Sequence, residues 1–197
     1  MNVDSLVWNE HTGLLPVIVQ HHRTLQVLML GYMNREALEA TLASGNVTFY
    51  SRSRQTLWEK GETSGNTLRV QHIAADCDND TLLVLAYPAG PTCHLGTESC
   101  FRDDAPKATL PALEAVIVSR FANPPAGSYT ALLAGAGIAR IAQKVGEEGV
   151  ETALAAVTGE NLADEAADLL YHLLVLLRAG GSDLAAVERV LRERQGG

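Results

Sequence analysis

With 197 residues, 47% of them apolar, the chain is rich enough in hydrophobic side chains to pack a core and too rich for intrinsic disorder. Its 23 acidic against 15 basic residues leave a net charge of −8, which argues against nonspecific binding to a nucleic-acid backbone or an anionic membrane. No apolar run approaches the ~18 residues of a membrane span, and residues 1–10, with Asp4 and Glu10, lack the apolar core of a secretory signal.

In chain order, residues 14–20 (LLPVIVQ) and 26–30 (QVLML) predict two strands, 47–51 and 68–75 two more, and 81–87 (TLLVLAY) a fifth. Between them, residues 34–44 predict a helix with Asn34 as N-cap and Gly45 just past its end. Beyond residue 105 the period turns helical. Residues 110–121 set Leu113, Val116 and Ile117 on one face, and Asn123-Pro124-Pro125-Ala126-Gly127 then breaks the chain. Helices are expected over 128–157 (with a break near Gly135 or Gly137), 161–179 and 184–194. Gly159 and Gly180-Gly181 are the stops, and Ser182 is a candidate N-cap for the last helix. Residues 102–109, polar and holding Pro106, read as a linker. The expectation is two domains: residues 1–104, mainly β of the α+β kind and metal-binding, and residues 105–197, an all-α helical bundle.

Cysteine is scarce and odd in number: Cys77, Cys93 and Cys100. Three thiols cannot all pair within one chain, so a reducing, cytoplasmic setting and thiol or metal chemistry are expected. Together they offer a zinc ion three thiolates with a fourth position open, the arrangement in which zinc lowers the pKa of bound water to ~7. Three small core cysteines are the competing reading. Directly before the fifth strand stands Asp76-Cys77-Asp78-Asn79-Asp80. If extended, it sets Asp76, Asp78 and Asp80 on one side and Cys77 on the other. Carboxylates so placed repel one another unless a hard cation such as magnesium joins them; a solvated acidic turn is the alternative. Because Cys77 would then face away from the aspartates, a zinc shared across a dimer interface is expected.

Ser51-Arg52-Ser53-Arg54, followed by Trp58, Lys60, Glu62, Ser64 and Gly65, gathers cations, hydroxyls and glycine-permitted amides, the groups that hold a phosphate ester. Trp58 can stack on a base or anchor the loop, and a merely solvated loop is the bland alternative. These strings, with Cys93-His94 and Ser99-Cys100-Phe101, occur in an order that resembles phosphoribosyl-AMP cyclohydrolase from about Gly13 to Phe101. The resemblance implies a homodimer with zinc on Cys77, Cys93 and Cys100 supplied by both chains, magnesium near Asp76, Asp78 and Asp80, and His94 as proton shuttle. It also implies that Arg52, Arg54, Lys60 and Ser64 hold phosphate or ribose. Leu95 stands where that family has threonine.

The second half carries Glu147-Glu148-Gly149-Val150-Glu151 and Glu165-Ala166-Ala167-Asp168. Glu148 and Glu151 share a helix face, as do Glu165 and Asp168. Folded about Thr158-Gly159, the pairs 148/168 and 151/165 have a common midpoint at 158, so four carboxylates meet at one height. Such a group calls for cations, here magnesium bridging nucleotide phosphates; solvated helix faces are the competing reading. Ser128-Tyr129-Thr130, Lys144-Val145-Gly146-Glu147-Glu148 and Glu165 to His172 resemble phosphoribosyl-ATP pyrophosphatase, of the all-α nucleotide pyrophosphohydrolase type, over about Leu110 to Arg194. Gly149 replaces that family's alanine, and Leu132 stands near a frequently basic position. Lys144 and Arg140, upstream on the same helix, are candidates to neutralise phosphate, and Glu147 is a second-rank ligand or base. His172 reads as a satisfied core histidine.

Together the resemblances imply a bifunctional hydrolase of histidine biosynthesis. Its second domain would cleave phosphoribosyl-ATP, and its first would open the adenine ring of phosphoribosyl-AMP at N1–C6. The partners expected are small nucleotides and a second copy of the chain, with no nucleic acid and no membrane. A nucleobase deaminase would need His-x-Glu and Pro-Cys-x-x-Cys, and neither is present. A non-catalytic zinc scaffold would need a fourth protein ligand, His94 or His72.

Overall fold

The computed structural model of the chain describes residues 2–196. It divides between Ala108 and Thr109 into two compact units of different class.

The first unit is built on β1 (Leu15–His21), β2 (Val27–Met33), β5 (Leu68–Ala75) and β6 (Leu82–Pro88), in sheet order β2-β1-β6-β5. β1 pairs antiparallel with β2 and parallel with β6, and β5 with β6 is an antiparallel hairpin. The period of two decides which face is inside. Leu15, Val17 and Val19 of β1 and Leu82, Val84 and Ala86 of β6 are buried, with polar or half-exposed residues between them. They pack with Leu28, Met33, Leu38, Phe49 and Leu68 into one core, each fully buried aliphatic side chain contributing about 1.5–3 kcal/mol.

Helix α1 (Arg35–Ser44) starts and stops at the expected residues. The Asn34 side chain accepts from Ala37 N at 2.9 Å, and Gly45 takes the left-handed conformation, with φ 76°. β2 runs three residues beyond the predicted end at Leu30, through Gly31. A Cβ there would lie 2.3 Å from the Phe49 ring, so glycine is what lets the strand pass beneath that side chain.

One strand pair departs from the sequence expectation. β3 (Thr48–Ser51) pairs with β4 (Thr56–Glu59), which sequence analysis assigned to a loop. Its four residues, Thr-Leu-Trp-Glu, carry no apolar run, and only tertiary pairing makes them a strand. Residues 102–108 do not hang free. Arg102–Asp104 form a 3-10 turn, the Ala105 carbonyl accepts from buried Gln26 Nε2 at 3.0 Å, and Ala108 N donates to Thr24 O at 2.9 Å.

The second unit contains α2 (Thr109–Ala122), α3 (Tyr129–Ala136), α4 (Ile138–Thr158), α5 (Leu162–Ala179) and α6 (Leu184–Gln195). The expected helix over 128–157 breaks at Gly137, whose φ of 86° ends α3 before α4 begins. Gly159, at φ 79°, closes α4, and α5 follows after two residues, making the hairpin that sequence arithmetic required. Ile117, Leu133, Ile141, Leu174, Val175 and Leu184 form the core. Ser182 is not the cap of α6. That place belongs to Asp183, which accepts from Ala186 N at 2.8 Å, and buried Glu114 accepts from Leu184 N at 2.6 Å. Among the described residues no single helix is long and apolar enough to cross a membrane.

Candidate metal and nucleotide sites

In the first unit, Asp76 to Asp80 form a turn rather than an extended segment. Asn79 adopts φ 61° and its N–H donates to Asp76 O at 3.3 Å. Two further amides, of Asp80 and Thr81, donate to Asp76 Oδ1 at 3.0 and 3.1 Å. Against a desolvation cost that pushes it up, these backbone bonds hold the Asp76 carboxyl below its ordinary range. The turn brings carboxylate oxygens of Asp76, Asp78 and Asp80 within 4.8 Å of one another, all exposed. It also removes the alternation expected from sequence, because Cys77 Sγ lies 3.9 Å from Asp78 Oδ1, beside the acids and not behind them.

Cys93 and Cys100 are side-chain neighbours in the segment after β6. The Leu95 backbone and the Thr97 side chain beside the Cys93 sulfur lower its pKa, favouring thiolate. Desolvation and the charge of Cys93 push the Cys100 thiol up, while the Lys60 ammonium works the other way. His94, exposed, has Nδ1 3.9 Å from Cys93 Sγ. Cys77 does not join this pair. Cys100 N donates to Leu28 O at 2.8 Å, at the start of β2, whereas Cys77 sits in the β5–β6 turn.

The basic loop forms a cavity of about 440 Å³ lined by Arg54, Trp58, Lys60, Glu62 and Ser64 among others. Arg52 stands apart from it, its guanidinium 3.9 Å above the Tyr32 ring. Trp58 is half-buried with its ring 5.2 Å from that of Phe49, so it anchors β4 as well as facing the cavity. Gly65 takes φ 76° and lets the loop turn back, and Glu62 accepts from Glu59 N at 3.2 Å. Lys60 belongs both to this cavity and to the surroundings of Cys100, joining the cation loop to the thiols. The sequence does not show the Lys60–Cys100 proximity or the surroundings of Cys93; only chain folding brings these groups together.

In the second unit, the α4–α5 hairpin gathers Glu148, Glu151 and Glu165 within 4.8 Å. Glu148 is buried, Glu165 half-buried and Glu151 exposed. Desolvation, then the charges of Glu148 and Glu165, raise the Glu151 pKa. Asp168, one turn beyond Glu165 on α5, is exposed and is not among the three acids gathered within that distance. Lys144 Nζ lies 2.8 Å from both Glu147 Oε2 and Glu148 Oε1, and the two carboxylates raise its pKa. Glu147 also takes Gln143 at 2.9 Å and Arg140 at 3.5 Å, and Lys144 above all holds its pKa down. Glu147 thus binds the two cations assigned to phosphate. His172, 4% exposed, contacts Tyr129, the Asp168 backbone and Glu148.

Comparison with known proteins agrees with both halves. The family model described as Phosphoribosyl-AMP cyclohydrolase matches residues 29–102, and that described as Phosphoribosyl-ATP pyrophosphohydrolase matches residues 110–195. The chain is 60% identical over 193 residues to the histidine biosynthesis bifunctional protein HisIE of Escherichia coli K12, covering 96% of this chain and 95% of the relative. It is also 60% identical to the HisIE proteins of Xanthomonas campestris, over 98% of this chain and 94% of that one, and of Xylella fastidiosa Temecula1, over 96% and 93%. A cyclohydrolase-type β unit followed by a pyrophosphohydrolase-type helical unit, matched from end to end at this identity, makes the chain a member of the HisIE family of histidine biosynthesis bifunctional proteins.

Proposed function

We propose that the chain carries two hydrolases that act in succession on one nucleotide. The helical unit hydrolyses phosphoribosyl-ATP to phosphoribosyl-AMP and pyrophosphate. The β unit then opens the adenine ring: the oxygen of water bonds to C6, the N1–C6 bond breaks, and N1 gains a proton. The observation that carries this reading is that each unit gathers its own carboxylate group, three acids within 4.8 Å in either case.

In the helical unit, Glu148, Glu151 and Glu165 hold magnesium, with Asp168 one turn on as a fourth donor. Three mutually repelling carboxylates, one buried and one with a raised pKa, fit a divalent cation. When bound, magnesium would supply positive charge against the phosphates and lower the pKa of water. Lys144 and Arg140, tethered by Glu147, balance the remaining phosphate charge.

In the β unit, Asp76, Asp78 and Asp80 hold magnesium, and Cys77, Cys93 and Cys100 hold zinc across a homodimer. A thiolate-favouring Cys93 beside Cys100 suits a soft thiophilic cation, and the distance of Cys77 from both supports a second chain as its source. Zinc, when bound, supplies a Lewis acid that activates water at neutral pH. His94, beside Cys93, carries the proton from water towards N1. Arg54, Lys60 and Ser64 take the phosphate and ribose in their cavity, Trp58 forms its wall, and Glu62 and Gly65 shape the loop; Arg52 reaches the ester by leaving the Tyr32 ring. An exposed apolar stripe on α4, formed by Val150, Leu154 and Val157, supports self-association of the helical units as well. The reading includes an ATP-derived substrate and a cytoplasmic setting, consistent with three unpaired thiols.

Phosphoribosyl-ATP supplied with magnesium and zinc tests the scheme. Cys100→Ala accumulates phosphoribosyl-AMP, and Glu148→Ala leaves phosphoribosyl-ATP intact while still turning over added phosphoribosyl-AMP. Loss of the same step in both variants would refute the division of labour.

A further inference from the structure

Two consecutive residues of α3 bond two consecutive residues of α5. Tyr129 Oη lies 3.1 Å from His172 Nε2, and Thr130 Oγ1 lies 2.7 Å from Tyr171 Oη. The bonds are alike in kind but differ in what lies behind them. His172 Nδ1 is 2.9 Å from the Asp168 carbonyl, which only accepts, so Nδ1 carries the ring proton. With the ring proton on Nδ1, Nε2 accepts and Tyr129 O–H donates. The same Nδ1–H faces Glu148 Oε1 at 3.6 Å. Glu148 and His172 side chains are 6% and 5% exposed, so ring and carboxylate are packed together out of solvent, with Lys144 Nζ 2.8 Å from the same Oε1. One imidazole therefore touches the backbone of Asp168 on α5 and the carboxylate of Glu148 on α4, while Tyr129 on α3 holds the tautomer.

We infer that His172, locked by Tyr129, is a positioning residue that aims the Glu148 carboxylate and the Asp168 turn at the divalent cation of the pyrophosphohydrolase site. The inference rests on the assignment of Glu148, Glu151 and Glu165 as ligands. It gives the Ser-Tyr-Thr string a physical role: its tyrosine fixes the imidazole that packs against a metal ligand, whereas its threonine, through Tyr171, only ties helices together. Outer partners of this kind set metal affinity as well as geometry.

The test is Mn2+ binding to the full chain, followed by the EPR signal of free Mn2+ in the absence of nucleotide. Asp78→Asn with Asp80→Asn serves as background so that the aspartate turn is not counted. Tyr129→Phe is expected to weaken binding about 10-fold, and His172→Asn, which keeps a donor at the Nδ1 position but no acceptor for Tyr129, by a similar factor. The double variant should be no worse than either single one, because both remove the same bond. Tyr171→Phe removes the parallel bond and should leave Mn2+ affinity unchanged even if the melting temperature falls. Unchanged affinity in Tyr129→Phe, or an equal loss in Tyr171→Phe, overturns the positioning role. Glu151→Gln separates the two levels: if it leaves Mn2+ binding intact, the ligand assignment has failed and this inference with it.

Discussion

The backbone N–H of Cys100 donates to the carbonyl of Leu28 at 2.8 Å, and this bond sets the limit on what one chain can do with its thiols. Leu28 lies in β2 between Val27 and Met29, which pair with Gln20 and Val19; those residues stand beside Leu85 and Val84 of β6. Cys77 lies past the other end of β6, in the turn before Leu82. Two strand spacings sideways, ~10 Å, and at least ~8 Å along the strands separate the two positions. Zinc–sulfur bonds of ~2.3 Å cannot span that gap.

Subunit mixing follows from this geometry. Cys77→Ala and Cys93→Ala should each abolish ring opening alone. Refolded together in equal amounts, they should recover about a quarter of wild-type activity, since half the dimers are mixed and each mixed dimer has one of two sites intact. A zinc site contained in one chain would recover nothing. The measurement is phosphoribosyl-AMP turnover after co-refolding, with Cys100→Ala plus Cys93→Ala as the pair that must stay inactive.

Glu151 makes the helical site sensitive to pH in a definite direction. Its folded-state pKa is raised, so the folded carboxyl holds its proton more tightly than the unfolded one. Its charge therefore destabilises the metal-free protein above that folded pKa, and the penalty fades as pH falls through it. Glu151→Gln should raise the melting temperature in EDTA at neutral pH. With magnesium the order reverses: the wild type gains about 2.7 kcal/mol at a hundredfold excess over Kd, and the variant gains little. Thermal denaturation with and without magnesium, across the range from carboxylate titration to neutrality, checks both signs.

Two glycines should answer oppositely to alanine. Gly149 is in the interior of α4, and a Cβ there meets nothing within 4 Å. Gly149→Ala should stabilise the helical unit by about 0.5–1 kcal/mol. Gly31 lies under Phe49, where a Cβ would approach the ring to 2.3 Å. Gly31→Ala should destabilise the β unit by about 1–3 kcal/mol. Urea unfolding followed by circular dichroism separates a gain from a loss.

Sequence alone determined what depends on neighbours along the chain. The period of two in β1 and β6, the Asn34 and Gly45 caps of α1, the break at Gly137 and the α4–α5 hairpin about Gly159 are local matters of side-chain spacing and permitted φ. The meeting of Glu148, Glu151 and Glu165 was legible for the same reason, since helical rise and one tight turn fix their height. Tertiary structure alone decided the rest. Four residues became β4 because β3 was there to pair with them, Asp183 and Glu114 capped α6 in place of Ser182, and the tight group of acids took in Glu165 but not Asp168. The turn at Asn79 set Cys77 beside Asp78, and the Leu28 bond held Cys100 away from it. Contacts between residues distant in sequence carry no periodic signal, so neither the separation of the thiols nor the bond from Tyr129 to His172 could be read before the chain was folded.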